Sequence, residues 1–246
     1  MFRHKGRKRT LKDNLHMAAL LSFVAGIVAV TGLLSIKILS TNLTGHFAHF
    51  SEDIGTKTYF IALLYCAWIL SFLSGSFFSN TIVELIGRKN AKYPYTVVLF
   101  IEAFLIFLVG FWCRIANPLV YKNMLACILL FSMGMQNSMV TKVSNAIVRT
   151  THVTGLFTDL GIELSQLFFY TASSERKALM KNIKIRLVTI LFFSSGCIIA
   201  GFTFPFLTIN LYFIAGILVI YTSFYERVRI NTLIFLRHHG FRRHTS

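Results

Sequence analysis

The sequence predicts an all-α integral membrane protein with six transmembrane helices in a 3+3 inverted repeat, plus two short or re-entrant helices that open on Thr-Gly. Three observations carry this: apolar runs long enough to cross a bilayer, basic residues gathered on one side of those runs, and a polar motif that recurs in the two halves. Composition agrees. Of 246 residues 55% are hydrophobic and only 14% charged, too apolar for an ordinary soluble domain. The 25 Lys and Arg against 9 Asp and Glu give +16. In so apolar a chain that surplus orients it in the bilayer that surrounds it rather than gripping nucleic acid. Cys66, Cys113, Cys127 and Cys197 lie in apolar runs without the close spacing of a zinc site, so no disulfide framework, structural metal or cofactor is expected.

A basic head, residues 1–14, precedes an uncharged run from Leu15 to Ile36 that is long enough for a span and too long for a cleaved signal. Thr58–Val83 and Asn123–Thr141 are also free of charge, and Tyr93–Cys113 is interrupted only by Glu102. The uncharged run Leu187–Tyr225 is too long for one span, and Thr203-Phe-Pro205 stands where a reversal would divide it in two. Residues 15–225 thus form one membrane domain, with repeats at about 15–115 and 121–225, and 226–246 form a basic tail. That tail, with Arg227, Arg229 and Arg237 among apolar residues, suits either an amphipathic segment on the inner leaflet or a disordered anchor.

Six spans with both termini cytoplasmic put 21 of the 25 basic residues inside, leaving Lys37, Lys57, Arg114 and Lys122 near the outer ends. The positive-inside rule favours that arrangement. Eight spans, with both short segments crossing, would put Arg88, Lys89 and Lys92 outside and ranks second.

Thr41-Asn42-Leu-Thr44-Gly45-His46-Phe47 matches Thr151-His152-Val-Thr154-Gly155-Leu-Phe157 at an offset of 110, and the segment around Gly26 corresponds, with a small shift in register, to that around Gly134. Each half reads as a span, a Thr-Gly segment and two more spans, and an odd number of crossings inverts the second half. Thr44-Gly45 and Thr154-Gly155 read as helix starts, threonine capping free N–H groups and glycine admitting a backbone or ligand. They are expected to converge near the pseudo-symmetry axis. Gly155, Asp159, Glu163 and Gln166 form a polar stripe on the second segment. His46, His49, Glu52 and Asp53 follow Gly45 on the first, reading as a solvated face in preference to a metal site. Asn42-Leu-Thr44 matches a glycosylation acceptor only by coincidence.

The run Gly134-Met-Gln136-Asn137-Ser138, the Thr150-Thr151-x-x-Thr154-Gly155 element with Thr158-Asp159-Leu160 after it, and Asn42-x-Thr44-Gly45 resemble the YoaK-like family of small bacterial membrane proteins of unknown function. The resemblance covers about Leu20 to Tyr225. It implies a multi-pass protein of the bacterial inner membrane, of a kind labelled permease with no substrate assigned. Members commonly carry an acidic residue three positions after the glycine of the first span; Ala29 stands there in this chain, which puts in doubt any role of that carboxylate here.

Candidate solute-binding residues are Thr41, Asn42, Thr44, Gly45, Gln136, Asn137, Thr151, Thr154, Gly155 and Asp159. Gln136 and Asn137 serve equally well as interhelical glue. Glu102, a carboxylate deep in a span, is costly unless protonated, paired or wet, which marks it as a proton-coupling candidate beside a plain packing role. The leading expectation is a secondary transporter or permease for a small polar or anionic solute. A channel and a non-transporting assembly or regulatory protein are the alternatives. No P-loop, nucleophile elbow or H-E-x-x-H helix is present, so an enzyme is not expected. The expected partners are the lipid bilayer and a small-molecule solute.

Overall fold

Long apolar stretches leave the backbone no hydrogen-bonding partners but its own, so helices are the outcome. A computed structural model describes residues 11–89, 94–144, 148, 150–170 and 172–240, and among them every regular element is helical. The order is α1 (Leu11–Ile36), α2 (Leu43–Gly55), α3 (Tyr59–Lys89), α4 (Pro94–Ile115), α5 (Lys122–Val143), α6 (Val153–Phe169), α7 (Ser173–Leu207) and α8 (Asn210–Gly240). Five helices, α1, α3, α4, α5 and α7, are long and apolar enough to cross a membrane; α8 contributes a shorter apolar stretch, Asn210–Tyr225. At 13 and 17 residues, α2 and α6 fall short of the about 20 that a spanning helix needs.

Packing is reciprocal. Helix α1 lies along α7 and α5 along α3, while α4 pairs with α8. Each of the first two crossings is made by glycines. A Cβ on Gly26 would overlap the Phe193 carbonyl oxygen and one on Gly196 that of Phe23; a Cβ on Gly134 would overlap the Phe72 carbonyl and one on Gly75 that of Phe131. The missing side chains let backbones touch, which drives association where lipid removes the hydrophobic incentive. Ser76 adds a hydrogen bond to the Gly134 carbonyl at 3.0 Å. In the third pair, Gly110 faces Phe213 and Gly216 faces Phe107, the two rings lying 6.0 Å apart. This Phe-x-x-Gly recurrence, Phe107–Gly110 and Phe213–Gly216, extends the internal similarity beyond the segments in which the sequence makes it conspicuous.

Helices α1 and α5 carry the core, with Leu21, Leu129, Leu130 and Met133 fully buried. Helices α3 and α7 present rings outward, among them Phe77, Phe202 and Phe206, as lipid-facing spans do. His16 stacks on Tyr225, Met17 shares a small cavity with Tyr95, Val143 and Thr222, and Lys142 bonds Glu84. These contacts gather the start of α1, the ends of α3 and α5 and the start of α4 at one end of the bundle. Helix α2 lies at the other end, beside the end of α1 and the starts of α3 and α5.

Two details correct the sequence reading. Pro205 does not divide the long apolar run; it sits in the last turn of α7, and the reversal falls at Thr208, whose φ is +45°. Proline deprives the Gly201 carbonyl of its helical donor, but its ring fits helical φ, so the chain turns three residues later. The basic residues at 1–10, 90–93, 149 and 241–246, including Lys92 and Arg149, lie outside the described residues.

Lys57, just past the end of α2, has φ +62° and gives its N–H to the Ile54 carbonyl at 3.1 Å. This is the left-handed position that glycine favours after a helix. Lys57→Gly is expected to stabilise the protein by about 0.5–1 kcal/mol, seen as a higher melting temperature in detergent; a lower one would contradict it.

Candidate functional site

The two Thr-Gly segments adopt the same local structure. Exposure agrees residue by residue over 41–48 and 151–158, and each helix starts one residue before its threonine. The capping residue, however, is the one two positions before the threonine. Asn42 Oδ1 accepts from the Gly45 N–H at 3.1 Å and from the Thr44 hydroxyl at 3.1 Å; His152 holds the corresponding place without a side-chain cap bond. This corrects the capping role expected of Thr44 and Thr154. The glycines make room for that residue: a Cβ on Gly45 would meet only the Asn42 side chain, and one on Gly155 only the His152 ring.

Nor do the two starts converge. Helix α2 packs on α3 and α6 on α7, with no contact between α2 and α6. They sit at opposite ends of the bundle, because each short helix lies along its own following helix instead of dipping toward the centre. The expectation of one shared Thr-Gly site is therefore overturned. Thr41 and Thr44 are placed with Asn42 and Gly45, and Thr151 and Thr154 with Gly155, but as two separate groups.

At the α2 end, Asn42, Gly45, His46 and His49 share a cavity of about 240 Å³ with Tyr65, Trp68, Lys37 and Lys122. His46 is buried and its Nε2 lies 2.9 Å from the Leu39 carbonyl oxygen, which fixes the N–H on Nε2. Burial holds its imidazole below the ordinary 6.5, the Leu39 bond pulling it up and His49 pushing it down. Tyr65 and Trp68 meet edge to face at 4.8 Å, and His49 stacks on Tyr65 at 5.3 Å. The Trp68 indole is 7% exposed, and its Nε1 has no hydrogen-bond partner among the described residues. Of the polar stripe on α2, His49 pairs with Glu52 at 3.2 Å, and the Asp53 carboxylate accepts from Thr58.

The α6 end is built differently. Asp159, one of the candidate binding residues, is held by Arg186 Nη1 at 2.7 Å, and the same guanidinium grips Glu163 through Nε and Nη2 at 2.7 and 3.0 Å. Leu156, Leu160, Ile183 and Ile190 pack beside this network. Where α2 and α3 leave a polar cavity, α6 and α7 make a salt-bridged, apolar seam.

Between the ends, the core holds polar groups that lack partners. Glu102 is fully buried, and neither carboxyl oxygen has a hydrogen bond among the described residues. Gln136 donates to the Leu21 carbonyl at 2.8 Å and the Thr150 hydroxyl at 3.2 Å, tying α5 to α1 and to the approach to α6. Its Oε1 and the Asn137 Oδ1 have no partner among the described residues, nor do the hydroxyls of Ser22, Thr31 and Ser132. Sequence reasoning missed Trp68, Tyr65 and Arg186 as site residues, and used Lys37 and Lys122 only in the charge count; Lys37 shortly before a Thr-Gly start, with aromatics one helix later, was the available signal, whereas Lys122 reaches the cavity only through the fold.

No solved structure matches this chain. It is 25% identical over 193 residues to the UPF0700 transmembrane protein YoaK of Bacillus subtilis (strain 168), an alignment covering 77% of this chain and 83% of that protein. A family model described as "Protein of unknown function (DUF1275)" matches residues 17–224. A multi-pass membrane protein built on five long apolar helices, the chain belongs to this YoaK-like DUF1275 family.

Proposed function

We propose that this protein is a small secondary transporter or permease for a polar or anionic solute, lying in the inner membrane with six spans in a 3+3 inverted repeat and both termini cytoplasmic. The observation that carries the reading is Glu102: a carboxyl group fully enclosed in the bundle, with neither oxygen bonded to protein among the described residues. A buried polar group without a partner is expensive, and ionisable residues inside membranes mark solute and proton paths. The reciprocal crossings of α1 on α7 and α5 on α3, each closed by two glycines, support the inverted repeat. Alternating access in such proteins is rocking of one repeat against the other. The polar cavity at α2 and the salt-bridged seam at α6 would then stand at the two ends of the path.

The test is uptake by proteoliposomes, across a pH gradient, of a panel of small labelled carboxylates, amino acids and phosphate. Saturable uptake of at least one is expected, with Glu102→Gln abolishing its pH dependence because the amide keeps shape and hydrogen bonding but cannot ionise. An unchanged pH profile in that variant rejects proton coupling at Glu102. Flux that fails to saturate identifies a channel, and absence of flux across the panel favours an assembly or regulatory protein.

A further inference from the structure

We infer that the cavity at the α2 end is a binding site for a small organic carboxylate with a flat apolar body, held between Lys37 and Lys122 and against the Trp68 indole. Four features point to that chemistry. The cavity brings together two lysines from different parts of the chain, Lys37 after α1 and Lys122 at the start of α5, and neither has a carboxylate partner among the described residues. No acidic side chain lines it. The rings of His46, His49, Tyr65 and Trp68 form one continuous aromatic cluster, and four of the lining residues are these rings. The Trp68 N–H, on a residue more than nine-tenths buried that lines the cavity, is a donor without an acceptor among the described residues, a cost that protein structures normally avoid.

The backbone supports the same reading. Lys37 stands just past the end of α1 at φ +60°, the left-handed position at which helices commonly end, and it lines the cavity from that turn. Helix α2 begins at this cavity and turns the positive end of its dipole toward it. Two ammonium groups and a helix start suit one negative charge, and the aromatic walls suit a flat apolar remainder. Inorganic phosphate, strongly hydrated and best bound by several backbone N–H groups or an arginine fork, fits such walls poorly. The inference deepens the transport reading and rests on it for passage of the carboxylate across the membrane, while binding itself is measurable without flux.

The experiment uses the full chain in detergent with Trp112→Phe, so that Trp68 is the sole indole. Benzoate is expected to change Trp68 emission saturably. Benzamide, which keeps the ring and removes the charge, and inorganic phosphate are expected to leave it unchanged. Lys37→Gln with Lys122→Gln, both exposed and expected to fold, should weaken benzoate binding about tenfold or more, as loss of charge-assisted bonds does. No saturable response overturns the site. An equal response to benzamide overturns recognition of charge, an equal response to phosphate overturns the organic carboxylate, and unchanged affinity in the double variant overturns the role of the lysines. Benzoate binding that survives in a protein without solute flux retains this site and rejects the transport reading; flux with no benzoate binding does the reverse.

Discussion

Gly134→Ala should cost the folded protein about 3 kcal/mol. The added Cβ would overlap the Phe72 carbonyl oxygen and crowd its carbon, and a backbone carbonyl cannot swing aside as a side chain can. The helices α3 and α5 would have to separate, losing the close contact along which they associate and straining the Ser76 bond to the Gly134 carbonyl. Overpacking of this kind costs about 1–3 kcal/mol, more where backbone must move, and small residues at such crossings set how closely membrane helices approach. Thermal unfolding in detergent measures it. Gly155→Ala is the control, because its Cβ would meet only the His152 ring, and it should stay within about 1 kcal/mol of the native protein. If both variants melt alike, the glycine crossing is not what holds α5 to α3.

The second large effect is expected from Arg186→Gln. One guanidinium satisfies two carboxylates, and removing it leaves Glu163, 9% exposed, without its cation. Breaking one partner of a buried pair is costly because the other charge stays behind. Asp159, 42% exposed, is eased by solvent and adds little. A loss of about 2–3 kcal/mol is expected, together with loosening of α6 from α7, detectable as faster hydrogen exchange along α6. Adding Asp159→Asn and Glu163→Gln removes the stranded charges and should recover most of the loss. Failure to recover would show that Arg186 acts through the packing of its stem and not through its charge.

Much of this architecture was legible in the chain. Uncharged runs give helices because a bilayer leaves the backbone no other partners, and Gly26 and Gly134 read as equivalent positions, which the structure uses for equivalent crossings. Which helix each glycine meets was not legible, since periodicity describes one helix and not its neighbour. The Thr-Gly motif recurred visibly, yet its recurrence says only that two segments fold alike, as the matching exposure of 41–48 and 151–158 bears out. It does not say that they meet. Asn42 was overlooked as the cap because its counterpart is His152, so the role repeats while the residue does not. Arg186 was hidden for another reason: its partners lie 23 and 27 positions away, beyond any helical spacing.

Helix α7 runs unbroken for 35 residues, about 52 Å at the rise of an α-helix, and it is pinned against α1 where Gly196 meets Gly26. That pin is not central. It lies twenty-three residues from Ser173 and eleven from Leu207, so the crossing divides α7 into a long arm and a short one. The end carrying Arg176, Lys177, Lys181 and Lys184 thus lies about twice as far from the crossing as the end carrying Pro205. The long arm bears the positive charge that answers to anionic surfaces, and it is also the arm that α6 clasps through Arg186, so charge and clasp share the same end of one helix.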